Sequence, residues 1–184
     1  MSIGQVRGEG VRTRRRVPSH ARPQRAFALQ DRYELDEGRI FLTGIQALVR
    51  IAFDQHRADA RRGLRTGTLV SGYQGSPLGG LDREFQRQRK LCELNDVFAV
   101  PGLNEELGAT SVWGSQLASS LPGARFDGVL GMWYGKAPGI DRATDALRHA
   151  NYSGVSRTGG ATIVVGDDPN AKSSTIPSAS ESLL

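Results

Sequence analysis

The chain has 184 residues, 24 Lys and Arg against 19 Asp and Glu, and one cysteine. That length supports one domain of ordinary size and too little apolar material for two. The single Cys92 excludes an internal disulfide, a CxxC redox pair and a zinc or iron–sulfur centre built on cysteines of this chain alone. Apolar runs such as VLGMW (129–133) and ATIVVG (161–166) fall far short of the roughly 20 residues of a bilayer span, so no membrane partner is expected.

The net charge of +5 is unevenly placed. Residues 1–26 hold seven Arg and one Glu, leaving the rest with 17 basic and 18 acidic groups. Basicity therefore belongs to the start of the chain, and residues 1–32 read as a solvated, disordered tail. Pro18 and Pro23 spoil the amphipathic helix of a transit peptide, and no apolar core of a secretory signal is present. The expected location is cytoplasmic, and no nucleic-acid partner is expected.

From residue 33 onward the pattern alternates between helix and strand. Ile45, Leu48, Val49, Ala52 and Phe53 share one helical face, Thr43 and Gln46 have capping-box spacing, and Gly63 can close the helix. GTLVSGY (67–73) predicts a strand, and LDREFQRQRKLCELN (81–95) a charged helix turning Leu81, Phe85, Cys92 and Leu94 toward a core. Cys92 reads as a small core residue, having no histidine nearby in sequence to activate it.

VFAVPG (97–102) predicts a short second strand, and Asn104 caps a helix that runs to Pro122. VLGMWYG (129–135) predicts a third strand and IDRATDALRHAN (140–151) a third amphipathic helix. GATIVVGDD (160–168) predicts a fourth strand, apolar throughout as if covered on both faces. This alternation predicts an α/β fold, a parallel sheet flanked by helices, over residues 33–184. The loops after the strands gather on one sheet edge, where such folds bind ligands. Four strands with no closing element lead us to expect a domain incomplete at its C-terminus.

Four loop segments carry the candidate chemistry: GYQGSPLGGLD (72–82), PGLNEELGATSVWG (101–114), YGKAPGIDRATDALRHAN (134–151) and GDDPNAKSS (166–174). In the second, Asn104-Glu105 opens a helix whose next turns are small, with Gly108, Ala109, Ser111 and Gly114, so another body can approach closely. A carboxylate in a first helical turn sits beside the positive helix end, a commonplace arrangement on its own. Asp141, Arg142, Asp145, Arg148 and His149 have spacing suited equally to surface ion pairs. Lys172 and Ser173 can orient an anion, although Asp, Pro and Asn make that segment a turn in any case.

Asn-Glu followed by small residues, with glycine nine positions after the Glu, resembles the pyrimidine-side domain of thiamine-diphosphate enzymes. Residues 33–184 as a whole resemble the N-terminal part of the large, fused indolepyruvate ferredoxin oxidoreductases, within the 2-oxoacid:ferredoxin oxidoreductases. The blocks TGIQALVR, VSGYQGSPLGGLD, PGLNEELGATSVWGSQ, YGKAPGIDRATDALRHAN and GDDPNAKSST carry that resemblance in order.

The resemblance implies a role for Glu105 as the catalytic residue that hydrogen-bonds N1′ of the cofactor's aminopyrimidine and favours the imino tautomer that removes the C2 proton. It implies cofactor contacts from Asn104 and from Gly75, Ser76 and Pro77 of the first loop, and substrate contacts from Tyr73, Ser76, Arg142, His149, Lys172 and Ser173. The implied reaction is oxidative decarboxylation of an aryl 2-oxoacid to its acyl-CoA, with ferredoxin as electron acceptor and a homodimer of the complete protein.

The diphosphate and Mg2+ half of such enzymes carries a GDG motif with a following Asn, which this sequence lacks. Mg2+ and [4Fe–4S] clusters are therefore expected through other regions or subunits, and this chain alone is expected to be inactive. Where the family more usually has Pro-His-Gln-Ser-Glu, this chain reads Pro177-Ser178-Ala179-Ser180-Glu181, a departure that bears on specificity. The alternatives are a non-oxidative thiamine-diphosphate decarboxylase or synthase, and a non-catalytic fragment.

Overall fold

The computed structural model describes residues 28–75 and 78–166. Ser76, Pro77, Lys172, Ser173 and most of the basic segment lie outside the described residues.

Four strands, β1 (Thr66–Gly72), β2 (Val97–Ala99), β3 (Gly128–Gly135) and β4 (Gly160–Val165), form one sheet in the order β2-β1-β3-β4, every pair parallel. The chain is thus an α/β fold with a four-stranded parallel sheet. β1 and β3 are central and buried nearly throughout, as their β-branched and aromatic residues suit.

The period of two along β3 divides the core between the two faces of the sheet. Met132 and Tyr134 join Val49, Phe53, Leu81 and Phe85 on the side of α2 (Gly44–Arg61) and α3 (Gly79–Arg87). Trp133, between them, joins Ala109, Val112, Ile140 and Ala143 on the side of α5 (Glu105–Ser115) and α6 (Ala137–Ser153). Among the described residues no helix is long and apolar enough to cross a membrane.

The caps read from sequence are present. Thr43 accepts from the Gln46 backbone while the Gln46 side chain accepts from the Thr43 backbone, and Gly63 follows the helix at φ 76°. The short helix α1 (Asp31–Glu34) is tied to α2 by the Arg50 guanidinium, which donates to the carbonyls of Arg32 and Leu35 at 2.6 Å each. Tyr33 packs edge-on against Phe53 beside this bond.

Four expectations change. The helix over 81–95 is two, α3 and α4 (Arg89–Leu94), broken at Gln88. Cys92 is buried, while Leu94, two residues on and so on the opposite side of a helix, is 82% exposed. The helix after Asn104 ends at Ser115, where Gln116 turns inward to donate to the Val129 carbonyl, and only a 3-10 turn at Ala118–Ser120 continues it. Finally, β4 is not covered on both faces: it lies at the sheet edge, and its residues alternate between half-buried and exposed.

Candidate functional site

Parallel pairing brings the ends of all four strands to one edge, and α5 starts there. Asn104 is extended and accepts from the Leu107 backbone N–H at 2.8 Å, so its side chain serves as the helix cap. Glu105 follows as the first helical residue, only 8% exposed despite its charge.

Three close approaches seat that first turn. The Gly108 Cα lies against Gly72 of β1: a Cβ on Gly108 would stand 3.1 Å from the Gly72 Cα. Gly72 in turn leaves no room for a side chain, since its Cβ would meet the Tyr134 carbonyl oxygen. Gly102, whose N–H donates to the Gly72 carbonyl at 2.8 Å, completes the turn into the helix. The small residues after Glu105 thus act partly within the chain: Gly108 and Ala109 face its own sheet, whereas Ser111 and Gly114 are exposed and Gly114 has open space around it.

From the other side α6 closes on the carboxylate. A Cβ on Gly139 would stand 3.0 Å from the Glu105 Cγ, so the first turn of α6 packs closely on this side chain and a larger residue there would press on it. Arg142, one turn further, places Nε 3.8 Å from a Glu105 carboxylate oxygen, its own side chain 66% exposed. Below, the Trp133 indole N–H donates to the Glu105 carbonyl at 3.0 Å. Glu105 thus has Arg142 beside its charge and a backbone held by Trp133.

Exposed apolar side chains occur in the segments at this edge. Leu103 and Leu107 flank Glu105 in the chain, Val100 and Tyr73 end the neighbouring strands, and all four are exposed. Gly75 adopts φ +85° in the loop after β1, a conformation that favours glycine.

The structure therefore brings Asn104, Glu105 and Arg142 together, and places Tyr73 and Gly75 on the same edge. It does not bring His149 there. That ring stacks on Trp113, with centroids 5.8 Å apart, and pairs with Asp145 at 3.6 Å, the i,i+4 contact expected of a surface pair. Trp113 is eight residues along α5 from Glu105, about 12 Å at the helical rise.

The sequence reading did not single out Gly72, Gly139, Trp133, or a second polar pair on the opposite sheet face. There the Tyr134 hydroxyl donates to Asp82, lining a small cavity of about 40 Å³ with Gln74 and Val100. Burial first, and then each other's presence, pushes the Tyr134 hydroxyl above its ordinary range; burial pushes the Asp82 carboxyl up too, against the hydrogen bond that opposes it. The period of two in β3 was the available signal, because it sets Tyr134 opposite Trp133.

Compared with known proteins, the chain matches no family model, no curated sequence and no solved structure.

Proposed function

We propose that this chain is the pyrimidine-binding part of a thiamine-diphosphate-dependent oxidoreductase acting on an aryl 2-oxoacid, with coenzyme A and ferredoxin as co-substrates of the complete enzyme. The observation that carries the reading is the carboxylate of Glu105: nearly buried, at the ligand edge of a parallel sheet, and walled by a glycine rather than a side chain.

These residues fit an aminopyrimidine. The ring needs one carboxyl group within hydrogen-bonding reach of N1′ and apolar surface for its faces. Glu105 offers the first, and Tyr73, Val100 and Leu103 are exposed apolar side chains at the same sheet edge. When bound, thiamine diphosphate supplies the nucleophilic carbon and the electron sink for loss of CO2. The chain's own part is to present the Glu105 carboxyl in fixed orientation, through the Trp133 bond to its backbone and the Gly139 wall beside its side chain. A covering second body over these side chains would exclude water and strengthen that hydrogen bond. Arg142 is suited to the oxoacid carboxylate, because it already faces an anion while most of its side chain remains in solvent.

Diphosphate, Mg2+ and [4Fe–4S] binding are assigned to other regions or subunits. The test is an NMR titration of the chain with 4-amino-5-hydroxymethyl-2-methylpyrimidine, the cofactor's ring without its diphosphate. Amide shifts centred on Glu105, Gly72 and Gly139 are expected. Shifts confined to other parts of the chain, or none at millimolar ligand, would refute the assignment.

A further inference from the structure

We draw no further inference here: the strongest candidate, the apolar hollow of about 330 Å³ beside the edge strand β4, lined by Val112, Trp113, Leu147, Val155 and Ile163, carries nothing, because nothing in the structure shows what covers it.

Discussion

Glu105 illustrates how a charged side chain is kept nearly out of water at a sheet edge. Its backbone is held by Trp133, its charge meets Arg142, and its stem lies against Gly139. Other buried polar groups are satisfied in the same local way. Burial alone would raise the Glu84 carboxyl, but hydrogen bonds from Tyr33, Arg87 and Gln88 outweigh it and hold the group below its usual range. Burial pushes the Cys92 thiol up to about 11, which suits a core residue and not a nucleophile.

His56 gives a pH prediction at this scale. Its Nε2 lies 2.8 Å from the hydroxyl of the fully buried Thr68, and burial lowers its pKa below 6.5 despite the nearby Asp59 and Asp96 carboxylates. Between the lowered value and the unfolded one, the unfolded chain binds the proton more readily, so this group's stability contribution is full above about pH 6.5 and lost as pH falls. Urea midpoints should drop from about pH 7 to about pH 5.5, and His56→Gln should flatten that drop. An unchanged slope in the variant would show that His56 is not the source.

At the scale of elements, the seating of α5 on β1 depends on glycine contacts that differ from one another. At Gly72 a methyl group would meet the Tyr134 backbone oxygen, which cannot move aside without displacing β3. Gly72→Ala should therefore cost about 3 kcal/mol, the upper part of the overpacking range. Gly114 lies in the same helix with open space around it, and Gly114→Ala should stabilise by about 1 kcal/mol through helix propensity. Thermal unfolding of the pair checks both signs; equal effects would contradict this view of α5.

The order and direction of the elements were legible because caps and periodicity are local: Thr43 with Gln46, Asn104, and the alternation of Met132, Trp133 and Tyr134. What was not legible was relational. GATIVV reads the same whether a strand is central or at an edge, and only the pairing order decides that. Gly139 reads as part of a helix start until α5 lies beside it. His149 shares a helix with Arg142, yet the length of α6 carries it to the far end of α5. For the loops at 76–77 and 167–174, the sequence expectations fall outside the described residues.

At the scale of the molecule, both sheet faces are covered by helices at the centre, while one edge strand and several apolar side chains near the strand ends remain exposed. At the strand ends, beside Glu105, an aminopyrimidine is the proposed occupant. Glu105 is the group proposed to recognise the pyrimidine. Titrating the diphosphate-free pyrimidine into the wild-type chain, Glu105→Gln and Glu105→Ala tests it most directly. Loss of a charge-assisted hydrogen bond should weaken binding by at least about tenfold in both variants, and more in Glu105→Ala, with the fold intact by circular dichroism. Equal affinity in all three proteins would contradict the role given to Glu105.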